Sequence, residues 1–267
     1  MKINHNSLLL NTLSKQNLAM KNIMAQLASG KRINSAGDDA AGQAISARLT
    51  SNSNSLNIGS RNLSDGDSML RTADGAAKSA TDVLQRMREL STQASNGTYG
   101  VEDRKNMQAE IDQLKTEYDK IVEGVEFNGN KLLTNNNSVD INSGTNMSSV
   151  QGKDLRTVSN GGTNPNIDLS IDVTDGEATT DIAKIDAAIN QITTARASFG
   201  ASSAGIKSAL ENNATQYIAS ERSKSQIEDA DLAKAMTEMT KATILSQAGI
   251  QMLKVQNQND GTLLKLF

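Results

Sequence analysis

Residues 40–96 read AAGQAISARLTSNSNSLNIGSRNLSDGDSMLRTADGAAKSATDVLQRMRELSTQASN, and their spacing decides the fold. Leu49, Leu56, Leu63, Leu70, Ala77 and Leu84 stand seven residues apart. Four residues ahead of them runs a second row, Ile45, Asn52, Gly59, Gly66, Ala73, Ala80 and Met87, which is mostly small or polar. A seven-residue repeat keeps one stripe of a helix turned toward partner helices. No proline interrupts the stretch, so it is expected to form one helix roughly 80 Å long at 1.5 Å per residue. A rod of that length cannot bury its stripe against itself, and the remaining segments must supply the partners. Gly59 and Gly66 in the small row are read as a line of close approach by a neighbouring helix.

Composition agrees with thin helical layers. Only 37% of the 267 residues are hydrophobic and 2% aromatic, with no Trp, so Ala, Leu, Ile and Met must build the core. The single proline, Pro165, leaves long helices uninterrupted over most of the chain. A net charge of -3 gives no electrostatic drive toward nucleic acid or an anionic membrane. The absence of cysteine fits a reduced cytosolic protein and an exported protein without disulfides equally well. Only Leu8 to Leu10 precede Asn11, too short a run for a signal-peptide core or a membrane span. Export, on this reading, uses a route with no cleaved signal.

Outward from the long stretch, helical spacing recurs on both sides. Toward the N-terminus, Leu10, Leu13, Asn17, Met20, Met24 and Leu27 step in threes and fours through a helix expected over Ser7–Ala28. Gly30 is expected to end it, with Lys31 and Arg32 opposing the negative end of that helix. Asp38 or Asp39 is placed to cap the long helix. The glycine-rich turn between them lacks the Gly-Lys-Ser/Thr ending of a phosphate loop. Asn96-Gly97 stops the long helix. A third helix starts near Glu102-Asp103, carries Met107, Ile111, Leu114, Tyr118 and Ile121 on one face as an antiparallel partner for the second half of the long helix, and is ended by Phe127-Asn128-Gly129.

Between Leu133 and Thr180 the repeat is lost. Asn160-Gly161-Gly162 reads as a turn, the alternation from Ile167 to Val173 as a strand and Val139-Asp140-Ile141 as a weaker one. Helical spacing then returns, with Thr180 as a cap and Ile182, Ile185, Ile189, Ile192, Arg196, Phe199, Ile206, Leu210 and Tyr217 behind it. Ser225 and Glu228 have the spacing of a capping box for a fifth helix. That helix carries Leu232, Met236, Met239, Thr243, Ser246, Ile250, Leu253, Asn257 and Leu264.

The expected fold class is therefore mainly α: a long antiparallel helical bundle or coiled coil, with a small β-hairpin region at the tip and both termini forming a paired-helix inner domain. Its divisions are 1–41 and 222–267 for the terminal helices, 42–132 and 181–221 for the two parts of the bundle, and 133–180 for a variable hairpin or loop. Ordering a residue costs about 1–2 kcal/mol, and the terminal stripes are thin. They are expected to order only against copies of themselves.

Several blocks resemble the bacterial flagellins. Residues 29–45, SGKRINSAGDDAAGQAI, are similar to that family's N-terminal signature. So are LQRMREL at 84–90 with Gln93-Ala94 and Asn96-Gly97, and EFNG at 126–129 with Lys131-Leu132-Leu133, to its following blocks. Residues 227–233, IEDADLA, and 244–249, ILSQAG, resemble its C-terminal signature. The resemblance implies a filament subunit for motility, secreted by the flagellar type III apparatus with a chaperone and placed under the filament cap, with junction proteins at the filament base. Residues 1–34 and 225–267 would form an inner tube, and residues 42–221 the next shell, thin and nearly smooth for want of a large outer domain. Leu10, Leu13, Met20, Met24 and Leu27, with Leu232, Met236, Met239, Ile250 and Leu253, would then be tube contacts between copies.

The same resemblance assigns a second face. In recognised flagellins the Gln-Arg-x-Arg-Glu-Leu block meets the host Toll-like receptor for flagellin. That places Gln85, Arg86 and Leu90 in contact roles, with Glu110 beside them, on what is otherwise an assembly face. The block departs at Ser91-Thr92, where many recognised members carry a larger apolar residue. Competing readings are a hook–filament junction protein and a secreted coiled-coil binding protein. An enzyme, a cofactor and a metal are not expected: the only histidine is His5, and the acid pairs Asp38-Asp39 and Asp229/Asp231 sit where capping explains them.

Overall fold

The computed structural model describes residues 5–157, 167–174 and 178–265. The expected turn at Asn160-Gly161-Gly162 lies outside them, as do Leu266-Phe267 and the side chains of His5 and Leu264. In order, the elements are α1 (His5–Ser29), α2 (Ala40–Ala94), α3 (Val101–Gly124), β1 (Ser138–Asn142), β2 (Met147–Gln151), α4 (Ala178–Glu228) and α5 (Leu232–Lys265). They fall into two compact units, Asn54–Tyr217 and Met1–Ser53 with Ile218–Phe267. Each is described separately.

In the unit Asn54–Tyr217 the seven-residue row is the core: Leu56, Leu63, Leu70, Ala77 and Leu84 are buried, and Ala73, Ala80 and Met87 are buried beside them. Facing them, α4 buries Ile185, Ile192, Phe199 and Ile206, again seven apart, with Ala188 and Ala195 between. The two helices are antiparallel. Arg196 Nε donates to Asp74 at 2.8 Å, and the Ser203 hydroxyl donates to Asp67 at 2.6 Å. α3 lies against the second half of α2 with Met107, Ile111, Tyr118 and Val122 buried. It starts one residue earlier than expected, at Val101, with the Asp103 carboxylate accepting from Gly100 N at 3.1 Å.

Two features of residues 125–174 differ from the sequence expectation. α3 ends at Gly124, and Phe127-Asn128-Gly129-Asn130 is instead a tight turn closed by two backbone hydrogen bonds of 2.9 Å between Phe127 and Asn130. Asn128 and Gly129 both take positive φ, 48° and 79°, as an Asn-Gly turn of this type requires. The hairpin is formed by Ser138–Asn142 and Met147–Gln151, pairing Val139 with Val150 and Ile141 with Ser148. Among the described residues, 167–173 form no strand ladder beyond one isolated parallel bridge between Thr157 and Ile167. Side chains take up much of their backbone: Gln108 Nε2 donates to Ile171 O at 3.0 Å, its Oε1 accepts from Val173 N at 3.0 Å, and Asp181 accepts from Asp172 N at 3.1 Å. The alternation still sets burial, since Ile167, Leu169, Ile171 and Val173 join the core while Asp168, Ser170 and Asp172 are exposed.

The hairpin occupies the end of this unit at which α3 has already finished. It covers α2 and α4 there, burying Ile141 and Val150, while Asn213 Nδ2 donates to Ser143 O at 2.8 Å. This corrects the expectation for the small row. A methyl group at Gly59 would overlap the Ser143 carbonyl, and one at Gly66 would overlap Ile141 Cδ1, so a strand and its turn make the close approach, not a helix.

In the other unit the start of α2 and the end of α4 remain antiparallel, but their seam is polar. Ser46, Ser53 and Ser220 are the buried residues, Asn52 donates to Ser220 at 3.2 Å, and Leu49 is only half-buried while Ile45 is exposed. Asp39 caps α2, accepting from Gly42 N at 2.8 Å; Asp38 instead accepts from Asn34 N and Ser35 N at 3.0 and 2.9 Å. α4 does not stop before Ser225. It runs through it to Glu228, the Ser225 hydroxyl hydrogen-bonds Asp229, and Asp231 caps α5 by accepting from Lys234 N at 3.0 Å. A hydroxyl inside the last turn of one helix has the same spacing as one capping the next, so the capping-box expectation placed the break a turn too early. Lys31 and Arg32 serve the end of α4, not of α1: Arg32 donates to Ile227 O at 2.7 Å, and Lys31 Nζ lies 3.1 Å from Glu228. α1 instead ends on Gly30, at φ 70°, with Gly30 N donating to Gln26 O at 2.8 Å.

Gly59→Ala is expected to destabilise the chain by about 1–3 kcal/mol because the Ser143 backbone cannot turn aside. Gly66→Ala should cost less, since the end of Ile141 can rotate, and Gly75→Ala, with nothing near it, should add about 0.5–1 kcal/mol. Urea unfolding followed by circular dichroism gives the order; a Gly59→Ala chain as stable as the parent would contradict the packing described. The Ser203 hydroxyl, helped by Arg71, holds the Asp67 carboxyl below its ordinary value of 3.8. Its stabilisation is complete above that unfolded value and is lost as pH falls through the lower folded one. The stability difference between the parent and Asp67→Asn should therefore shrink below about pH 4, read from unfolding midpoints across pH.

Candidate functional site

α1 and α5 pair antiparallel. A methyl group at Gly249 would lie 2.6 Å from Leu13 Cδ1, and the Thr243 hydroxyl sits 3.8 Å from Met20 Sδ. The seam between them is thin: Leu13, Met20, Ile23 and Leu27 on α1, and Met239, Ser246 and Leu253 on α5, are half-buried, with only Ala235 and Ala242 buried. The ten residues expected at this surface therefore divide. Leu13, Met20, Leu27, Met239 and Leu253 belong to the seam, while Leu10, Met24, Leu232, Met236 and Ile250 are exposed.

Other exposed residues escaped the sequence analysis. Leu18 on α1, and Ile244, Leu245, Met252 and Val255 on α5, are all exposed, Met252 to 67%. At 100° per residue, Leu232, Met236 and Ile250 fall on one flank of the α5 seam, Leu245 and Met252 on the other, and Ile244 and Val255 behind it. A search for one stripe misses residues that lie off it. The signal that finds them is the absence of any wholly polar face, which marks a helix meant to be surrounded.

The second candidate set is only partly brought together. Arg86 donates to Glu110 at 2.8 and 3.1 Å and to Glu89 at 3.2 Å, and both carboxylates hold its guanidinium above the ordinary arginine value. Gln85 is exposed beside it. Leu90 is not on this face. It is 3% exposed and packs in the core with Met87 and Ala94. The four-residue step from Arg86 to Leu90 holds, but α2 is covered by α3 on one side and α4 on the other, which leaves a narrow outer strip. Ser91, where the block departs from the resembled pattern, is also buried, and its hydroxyl has no hydrogen-bond partner.

Residues 3–138 match the bacterial flagellin N-terminal helical region, and residues 182–267 match the bacterial flagellin C-terminal helical region. The chain belongs to the bacterial flagellin family. The flagellin of Listeria innocua is 38% identical over 288 residues, covering 100% of this chain and 99% of its own. That of Bacillus subtilis is 35% identical over 303 residues, covering 100% of both. A crystal structure of Bacillus cereus flagellin matches 57% of this chain and 88% of its own at 30% identity, with a TM-score of 0.48. The chain is a structural subunit of the bacterial flagellar filament and polymerises with itself. Among the described residues no helix is long and apolar enough to cross a membrane, and no cluster of His, Asp and Glu could hold a metal ion.

Leu90→Ala is expected to cost about 2–5 kcal/mol in stability, as for a leucine removed from a packed core. Arg86→Ala, at a solvated ion pair, should leave the melting temperature unchanged. Thermal unfolding of the two variants side by side reads the contrast, and equal melting temperatures would place Leu90 at the surface.

Proposed function

We propose that the α1–α5 pair is the surface through which this filament subunit polymerises, with residues 1–34 and 225–267 in an inner tube and residues 42–221 in the next shell. The observation that carries the reading is the set of large apolar side chains on every flank of α5, with Met236 at 62% and Ile244 at 60% exposure. Burying one such side chain contributes about 1.5–3 kcal/mol, and the α1–α5 seam covers few of them. Other copies of the same helices offer the same apolar faces and complete the burial.

The same exposed faces favour a chaperone that covers them before assembly. Together with the family relationship, they support export through the flagellar apparatus, incorporation beneath a filament cap and contact with junction proteins. A second role rests on the exposed Arg86–Glu110 pair with Gln85 beside it: recognition by the host Toll-like receptor for flagellin, without Leu90 as a contact.

Removing residues 232–267 should abolish filaments in electron micrographs while leaving a soluble helical chain by circular dichroism. Met236→Glu and Ile244→Glu should each raise the concentration needed for polymerisation without lowering the melting temperature. A truncated chain that still forms filaments would contradict the reading. For the second role, Arg86→Ala in soluble monomer should weaken receptor signalling; unchanged signalling removes the assignment.

A further inference from the structure

Four helix ends meet within the unit formed by residues 1–53 and 218–267: the C-termini of α1 and α4 and the N-termini of α2 and α5. Helix C-termini carry carbonyls with no partner inside the helix. At the end of α4, Arg32 supplies them. Its backbone N donates to Glu228 O at 2.6 Å, and its guanidinium donates to Ile227 O at 2.7 Å. The same guanidinium lies 3.8 Å from Asp39 Oδ2, and the other oxygen of that carboxylate caps α2. A further backbone bond, Ala230 N to Gly30 O at 3.0 Å, completes an antiparallel bridge between Lys31 and Asp229. Behind the bridge Ile33 is buried, and Gly42 leaves room for it: a methyl group there would stand 2.7 Å from Ile33 Cδ1.

We propose that Arg32 is a positioning residue for polymerisation, joining the end of α4 to the cap of α2 so that α1 and α5 leave the junction as a pair in fixed register. The inference rests on α1 and α5 being the polymerising surface. Arg32 is half-exposed in this subunit, and its exposed ion pair is screened by solvent. Its role comes from geometry. Its Nη2 hydrogen-bonds the Ile227 carbonyl at 2.7 Å while staying within ion-pair range of the Asp39 carboxylate at 3.8 Å; the compact ammonium of lysine, a point charge on a differently shaped stem, does not reproduce that planar placement. Neighbouring Lys31 makes only an exposed ion pair with Glu228. Without the Arg32 side chain the α1–α5 seam remains, but its direction at the junction is left to the backbone bridge, the exposed Lys31–Glu228 pair and the packing of Ile33.

The test uses the full-length chain and the concentration at which filaments form. Arg32→Ala should raise that concentration about tenfold, Arg32→Lys should restore less than half of the loss on a logarithmic scale, and Lys31→Ala should stay within about twofold of the parent. A covalent clasp separates positioning from folding. Lys31 and Asp229 face each other in an antiparallel bridge, a spacing that a disulfide spans, and the chain has no other cysteine. Lys31→Cys with Asp229→Cys in the Arg32→Ala background should polymerise like the parent when oxidised and like Arg32→Ala when reduced. Polymerisation of Arg32→Ala at the parent's concentration, full restoration by Arg32→Lys, or failure of the oxidised pair to restore it would each overturn the proposal. If removing residues 232–267 leaves filaments intact, the polymerising surface itself is misassigned. If it abolishes them while Arg32→Ala assembles normally, only the role of Arg32 falls.

Discussion

The seven-residue rows of α2 and α4 set the rest of the structure. From Leu56 to Leu84 on α2, and from Ile185 to Ile206 on α4, they present buried apolar side chains to each other in antiparallel register. In the other unit the same two helices bury polar residues instead: Ser220 on α4, and Ser53 and Ser46 on α2. A buried leucine contributes about 1.5–3 kcal/mol. Ser220 accepts a hydrogen bond from Asn52 while the buried Ser53 hydroxyl has no hydrogen-bond partner, so these positions add little net stability.

Two rows leave a third side to be covered, and the chain covers it with two materials. α3 lies along the second half of α2, where Ala73, Ala80 and Met87 are buried. Where α3 has ended, the hairpin takes its place, and here the small row falls to Gly59 and Gly66. Residues 130–157 are tied to the bundle by single bonds that do not repeat: Tyr118 OH donates to Leu155 O at 2.8 Å, and the Thr157 hydroxyl donates to Asp119 at 2.7 Å. Burying the Tyr118 ring pushes its hydroxyl well above the ordinary phenol range, which keeps it protonated as the donor to Leu155 O.

Much of this was legible in the sequence because helical periodicity is a local property. The heptad from Leu56 to Leu84, the α3 face at Met107, Ile111 and Tyr118, and the family resemblance could all be read from spacing or motif. Boundaries set by distant partners could not. Lys31 and Arg32 look like caps for the helix just before them, and only the folded chain shows that their partners, the Glu228 carboxylate and the Ile227 carbonyl, lie nearly two hundred residues away. The alternation in 167–173 gave the right buried residues but the wrong backbone state, because Gln108 on α3 supplies the hydrogen bonds a strand would have supplied. Leu90 was misplaced because a four-residue step fixes which residues share a helix face, not which face is covered.

The terminal helices follow a different rule from the bundle. Their seam is thin and their other flanks carry exposed apolar side chains, and in the assembly proposed above other subunits would supply the burial that holds them. Hydrogen exchange measured on soluble monomer and on assembled filament tests this most directly, because amide protection reports local opening. Amides of α1 and α5 should exchange rapidly in the monomer and slow by orders of magnitude on assembly, while those of residues 54–124 stay protected in both. Terminal helices as protected in the monomer as in the filament would contradict the account.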